Sequence, residues 1–483
     1  MDANSPSATL DLAEQHFAAG RLSEAEPLFR RVLGVSGDDV RVLHVLGHIA
    51  RQQGRAAASV ECYAAAVALD PDNAQLHNNL AEAQQALGQH EAAIASYRRA
   101  TMLAPDEPAI HFNLGALLHA LHRMHEAAES LERSIALRPD VILTRSELCP
   151  VLCSLGRYED ALAHYRAALA IEPENWTARY LEALAMLALG DFTAGWEAHE
   201  VRWRSQLGAE RRRVFPQPYW LGEEIAPGQT LLLHAEQGLG DTLQFVRYAP
   251  LVAARGARVL LEVQPTLVPL LKNLPGIAGL YARGDALPPF DLQSSMMSMP
   301  RAFRATVETV PANVPYLTPQ PERVASWRER LGPPQGRRIG IAWSGTPEPW
   351  NRAMPLALLA PLTERTDCEL HVLQTELLPQ DRATLDQLPH VRDHGGTLAD
   401  FADTAAIISL MDLVISIDTA TAHLAGAMGK PTWTMLPLGP DYRWMLQRTD
   451  SPWYPTMRLF RQPALHDWPS VLADIIRALD TWR

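Results

Sequence analysis

Pro71, Pro105, Pro139 and Pro173 stand 34 residues apart, each from the next. A constant period of that length marks one supersecondary unit used again and again, because a single unit cannot bury its own apolar face. Other positions keep the same step. Leu46-Gly47, Leu80-Ala81, Leu114-Gly115 and Leu148-Cys149 set a small residue where two helices of a hairpin must approach closely. Ser59, Ala93, Ala127 and Ala161, followed four residues later by Tyr63, Tyr97, Leu131 and Tyr165, give a small-then-large pattern on one helix face. Gly54, Gly88 and Gly156 fall at the turn between the helices, where a left-handed residue ends the first one. His122 takes that place in one repeat, so its turn is expected to be strained. The register extends back through Ala13, Gly20, Ala25, Phe29 and Gly37, and forward through Ala183 and Gly190.

The period and its positions resemble the tetratricopeptide repeat (TPR). The resemblance implies about five to six repeats over residues 1–205, stacked as an all-α solenoid with a concave groove of the kind that holds peptides. His77, Asn78, His111 and Asn113 lie on first helices, where they either meet a peptide or form a solvated helix surface. Asp70-Pro71-Asp72 spells the DxD of metal–nucleotide sites but occupies the turn between repeats, and is read as a turn.

A formal charge of −12 argues against a nucleic-acid partner held by a broad basic surface. The basic run Arg211-Arg212-Arg213 is read as a solvated linker. Cys62, Cys149, Cys153 and Cys368 form no CxxC pair and no zinc or disulfide spacing, which suits a reducing compartment. The start, MDANSPSATLDLAEQ, has no basic then apolar leader pattern, and no uninterrupted apolar run reaches about 18 residues. The expectation is a cytoplasmic protein without an integral membrane segment.

After Gly190 the pattern changes. DFTAGWEAHEVRWRS is still helical by spacing, with Trp196 and Trp203 on one face as a wedge against the next domain. Residues 206–228 read as a linker. From Gln229, short apolar runs (TLLLHA, ARVLLEV) alternate with helical stretches, as in a parallel sheet with crossovers. This gives a first lobe over 229–317. The polar, proline-rich stretch TPQPERVASWRERLGPPQG (318–336) separates it from a second lobe of similar size over 337–483. That lobe carries the strand candidates RRIGIAW, LHVLQ and DLVISI and a closing helix, WPSVLADIIRALDTW. In such sheets ligands sit in the cleft at the carboxyl ends of the strands.

Three strand-to-loop motifs could carry chemistry. In HAEQGLGDTLQF, Gly238 and Gly240 allow close backbone approach, but Leu243 stands where a dinucleotide fingerprint needs glycine and the P-loop lysine is absent. Asp241 there is either an N-cap or a general base for an attacking hydroxyl. In RIGIAWSGTPEPWNR, Ser344, Gly345 and Thr346 form a loop suited to phosphate oxygens or a plain turn, with Arg352 near enough to neutralise a diphosphate. In DLVISIDTATAHLAGAMGKP the strand stops at Asp418-Thr419, and Ala420 opens a helix whose free N–H groups suit an anion. His423 faces either that phosphate or the core. Gln374 and Glu376, just past another strand, are placed to bond a ribose or base, or to cap a helix.

Together HAEQGLGDTLQF, IAWSG, LQTE, the segment ending in DTATAHLAGAMGKP, and SPWYPTMRLFRQ resemble bacterial TPR proteins that end in a glycosyltransferase family 9, heptosyltransferase-like domain. The resemblance implies a multidomain chain: the solenoid, then an α/β domain of two Rossmann-like lobes of the GT-B type. GLGDTL looks like the segment whose aspartate acts as base, which falls on Asp241. The DTATAH segment looks like the donor-diphosphate site. The family uses a nucleotide sugar as substrate and needs neither metal nor cofactor. Relatives carry Arg-Ser after the WxG segment, whereas Ala353 follows Arg352 here.

The expected function is a metal-independent inverting glycosyltransferase. Asp241 would be catalytic, and Gly240, Ser344, Gly345, Thr346, Arg352, Gln374, Glu376, Asp418, Thr419, Ala420 and His423 would bind the donor. The acceptor would be a protein or peptide recruited by the groove. The alternatives are a TPR scaffold with a degenerate transferase domain, and transfer to a lipid or glycan.

Overall fold

Helix pairs fill the repeat region because each 34-residue unit carries its own stop signals. The computed structural model describes residues 6–210, 212–345, 353–388 and 390–482. It divides into two compact units, 1–152 and 153–483, with the division inside the helix Ile142–Ser154.

In the first unit the pairs are Pro6–Ala18 with Leu22–Ser36, Val40–Gln52 with Ala56–Leu69, Ala74–Ala86 with His90–Leu103, and Pro108–Ala120 with Met124–Leu137. The small positions do what their spacing demands. A methyl group on Gly47 would stand 2.8 Å from Tyr63, and one on Gly115 would stand 2.6 Å from Leu131. Gly54 and Gly88 take φ of +72° and +76°, and His122 is held at +59°, where an L residue is disfavoured. His77 and His111 each donate from Nε2, at 2.9 Å, to the carbonyl of the proline six residues earlier, which ties one ring nitrogen of each to the turn. Arg145 does the same for Pro139 at 2.8 Å. These bonds satisfy turn carbonyls that helix ends leave open. Asn78 is buried and bonds Glu82, and Asn113 donates to Asn78 at 3.0 Å, so neighbouring repeats are tied through side-chain amides.

The second unit begins with the helices Tyr158–Ile171, Trp176–Ala188 and Phe192–His199 and continues into two parallel sheets. The first contains β1 (Thr230–His234), β2 (Arg258–Val263), β3 (Ile277–Ala282) and β4 (Leu292–Ser295), in the order β3-β2-β1-β4. The second contains β5 (Arg337–Ala342), β6 (Cys368–Val372), β7 (Val391–Asp393), β8 (Leu413–Ile417), β9 (Thr432–Leu436) and β10 (Met457–Arg461), in the order β10-β9-β8-β5-β6-β7. The central strands read as unbroken apolar runs because both faces are covered, as in LVISI of β8, buried throughout. With four strands against six, the lobes are not of similar size.

Three expectations need correction. Residues 318–336 are not a bare linker: Pro321–Leu331 is a helix with proline in its first turn and Gly332 closing it at φ +68°. It is fastened by Arg323 to Asp400 and Asp403 at 3.0 and 2.7 Å. Arg212 is exposed, but Arg213 is only partly so and pairs with Glu262, a buried carboxylate in β2; Arg211 lies outside the described residues. Trp196 and Trp203 do not share a face, since the α-helix ends at His199 and a tighter turn follows. Trp196 alone is the wedge, packed against Phe192, Phe245, Tyr442 and Trp453, while Trp203 lies under the Arg202 guanidinium.

Replacing His122 by glycine relieves the left-handed strain at one repeat turn. The variant is expected to be more stable by about 0.5–1 kcal/mol, part of the relief being offset by glycine's freer unfolded chain. A rise in the first denaturation midpoint of the full chain checks this.

Candidate functional site

In a parallel sheet whose connections run off in opposite directions from two adjacent strands, the loops part between those strands and leave a crevice. The larger sheet has this point between β5 and β8, and the smaller one between β1 and β4. The motifs singled out from the sequence end these strands: Trp343–Gly345 follows β5, Asp418–Thr419 follows β8, and Ala235–Gly238 follows β1.

Two helix starts, one from each lobe, meet here. A Cβ on Gly240 would lie 2.9 Å from Cδ2 of His423 and 3.7 Å from Cα of Ala420, so any larger residue would push the helices Leu239–Phe245 and Ala420–Ala427 apart. A Cβ on Gly345 would come within 3.3 Å of the Thr419 methyl group. Thr419 and Ala420 are half-buried, and the Thr419 hydroxyl lies 3.0 Å from that of Ser416. The Thr419 side chain does not cap the Ala420 helix, so among the described residues its first N–H groups have no capping acceptor from the N-cap position. Gly240, Asp241, Gly345, Asp418, Thr419, Ala420 and His423 are thus gathered in one place.

Asp241 is not the N-cap of its helix, a place that Gly238 holds, but the third helical residue. One carboxylate oxygen accepts the Gly238 N–H at 2.8 Å, closing the start of its helix. The other is paired with Arg443, a buried guanidinium that also donates to Gln244 at 2.8 Å and to Asp441 at 2.7 Å. Burial opposes the charge on Arg443, and the carboxylates of Asp441 and Asp241 with the phenol of Tyr442 outweigh it, so the guanidinium stays charged. His423 is held as a packed ring. Its Nδ1 lies 2.9 Å from the Tyr454 hydroxyl, its Nε2 lies 3.6 Å from Asp418, and its face stacks on Trp444 at 5.2 Å.

The other expected donor contacts fare differently. Gln374 is committed within the fold: its oxygen accepts the N–H groups of Trp343 and Ser344 at 2.9 and 3.2 Å, and its amide donates to the Ser344 hydroxyl at 2.6 Å and to the Glu376 carbonyl at 3.1 Å. It shapes the loop instead of reaching a ribose or base, and it takes the backbone N–H of Ser344 out of play as a phosphate donor. Glu376 is exposed. Thr346 and Arg352 lie outside the described residues.

Sequence reasoning passed over Arg443 and a second buried ion cluster at the ends of β1 and β4. Arg202 reaches both oxygens of Glu236, at 3.0 and 2.8 Å, then Ser298 at 2.8 Å and Glu200 at 2.8 Å. Ser295, the last residue of β4, donates to the same carboxylate at 2.5 Å. Burial pushes the Glu236 carboxyl up, but Arg202 more than compensates and holds it below the usual range. The cluster fastens the loop that leads to Asp241. Among the described residues no group of three or more His, Cys, Asp or Glu side chains is gathered as a metal site requires. A cavity of about 500 Å³ opens elsewhere, along β10 and the closing helix, lined by Arg458, Arg461 and Arg477.

The chain matches the family described as TPR repeat over residues 47–88, 85–121 and 151–190, and the family described as tetratricopeptide repeat over 6–31 and 108–141. TPR repeats therefore occupy the N-terminal part of the chain. It is similar to Protein FlbA of Caulobacter vibrioides, 29% identical over 337 residues, which cover 62% of this chain and 54% of that protein. The chain thus spans about half the length of this curated relative. A stretch of 337 residues is longer than the helix pairs to His199, so the likeness takes in part of the sheet-bearing region. Among solved structures, MamA is 21% identical, covering 35% of this chain and 93% of its own at a TM-score of 0.34. A tetratricopeptide repeat protein from Parabacteroides merdae is 17% identical, covering 42% and 80% at 0.36. No helix among the described residues is long and apolar enough to cross a membrane.

Glu236→Gln would leave Arg202 with Glu200 as its remaining acidic partner. The expected loss is about 3 kcal/mol, read as a lower denaturation midpoint. Since the folded carboxyl titrates below its unfolded value, the contribution is complete above the unfolded carboxylate pKa of about 4.3 and is lost as pH falls through the folded one. Wild-type stability should therefore drop more steeply than the variant's below about pH 4.3.

Proposed function

We propose that the sheet-bearing unit is a metal-independent inverting glycosyltransferase of the GT-B plan, and that the repeats recruit its protein acceptor. The observation that carries this reading is the meeting of Gly240 and Asp241 with the open start of the Ala420 helix at the carboxyl ends of two sheets. A carboxylate on one wall and uncapped N–H groups on the other are the two functions that sugar transfer from a nucleotide diphosphate requires.

In the proposed step the acceptor hydroxyl gives its proton to Asp241 as its oxygen bonds the anomeric carbon. The bond from that carbon to the phosphate oxygen breaks on the opposite face, and its electron pair leaves with the nucleoside diphosphate. The N–H groups at Thr419 and Ala420, with the helix dipole, receive the developing charge. Ser344 and Gly345, shaped by Gln374, border the same place. The TPR array supports a protein partner, since such arrays commonly act as interaction scaffolds.

One observation favours a scaffold with an inactive transferase domain: the Gln374 amide and the Asp241 carboxylate are already bonded within the fold. Turnover decides between the two. Purified full chain with a panel of nucleotide sugars and protein acceptors should release nucleoside diphosphate, and Asp241→Asn should cut the rate by about 10²–10⁴-fold. An unchanged rate in the variant removes Asp241 as base; no release from any donor favours the scaffold.

A further inference from the structure

We propose that Arg443 is an exchangeable latch: it holds Asp241 until the diphosphate of a nucleotide donor takes its guanidinium, which frees the carboxylate to act as base. The inference rests on the transferase reading and adds to it a residue and an order of events.

Arg443 lies in the short turn Tyr442–Trp444 after β9, in the larger lobe, and is 7% exposed. Two of its contacts, Asp241 and Gln244, belong to the helix Leu239–Phe245 of the smaller lobe. The third, Asp441, is its chain neighbour. It also lies in the field of Asp418, the residue before the start of the Ala420 helix. The next residue, Trp444, stacks on His423, whose edge faces Gly240. The guanidinium is thus bonded to one wall of the proposed site, and the next residue packs against the other.

A carboxylate bonded to a guanidinium is a poor base, because taking a proton forfeits the ion pair. A diphosphate at the Ala420 helix would carry more charge and more acceptor oxygens than one carboxylate, and a guanidinium fork suits it. The exchange leaves both partners held. Asp241 keeps its bond from the Gly238 N–H, which fixes its orientation, and Arg443 keeps Asp441, which limits its travel.

The test is a double-mutant cycle read by calorimetry on the full chain with ADP, GDP, UDP and inorganic pyrophosphate. The latch predicts that Arg443→Gln weakens binding about tenfold or more, as for a lost charged hydrogen bond. It predicts that Asp241→Asn, by removing the competitor, tightens binding several-fold, and that this gain vanishes when both are changed. Arg443→Lys, which keeps the charge but not the fork, should fall between wild type and Gln and serves if the Gln variant does not fold. If Asp241→Asn tightens binding equally with and without Arg443, or Arg443→Gln binds as wild type does, the latch is overturned while the donor site stands. If no probe binds wild type or Asp241→Asn, the transferase reading fails and the latch falls with it.

Discussion

Gly240 lets two helices from different lobes touch at their first turns, and the rest of the site follows from that contact. With any side chain there, the helix carrying Asp241 would be lifted from Ala420 and His423. Arg443 would then lose its reach to Asp241 and Gln244, and the proposed acid–base group would no longer stand opposite the helix start. The contact is costly to leave as backbone alone, and a ring of buried groups supports it. Arg247 bonds the carbonyl of Pro311 within the smaller lobe at 2.9 Å and crosses to that of Trp453 in the larger one at 2.7 Å. Tyr316 bonds the carbonyl of Ala427 at the far end of the same helix. Both lobes are thus gripped near the site.

The repeats were legible because everything that defines them is local. A glycine turn, a small contact position and a proline recur within one period, so the pattern survives without knowledge of the tertiary fold. The single irregular turn, at His122, was legible for the same reason, and its positive φ is the consequence. The sheets were readable only in part, and strand length does not divide the two groups, since β9 and β10 have five residues as β1, β6 and β8 do. β3, β4, β7, β9 and β10 escaped notice; β7 is only Val391–Asp393, with nothing that sets it apart from a loop. The helix inside 318–336 was hidden by prolines that read as a break and in fact start it.

At the site, glycines and threonines at strand ends pointed to residues that do come together. Polar residues past a strand were less informative. Gln374 looks the same in sequence whether it meets a ligand or shapes a loop, and only the two N–H groups converging on its oxygen distinguish the cases. Arg443 carried no readable signal, since its partner Asp241 lies 202 residues earlier and the pair exists only once the lobes are assembled. Arg202 and Glu236 were missed likewise: a charge inside a helical end or after a strand is expected at the surface, and here both are buried together.

Trp196 has a consequence for where the molecule can be divided. Its ring is covered by Phe245 from one lobe and by Tyr442 and Trp453 from the other, and Tyr158 further back donates to the Pro440 carbonyl at 2.6 Å. A fragment cut at the first strand would strip an aromatic lid from both lobes and leave a wet apolar face where a dry core had been. The last hairpins, though built to the repeat pattern, pack as part of the sheet-bearing unit, whose boundary falls inside the repeats at residue 153.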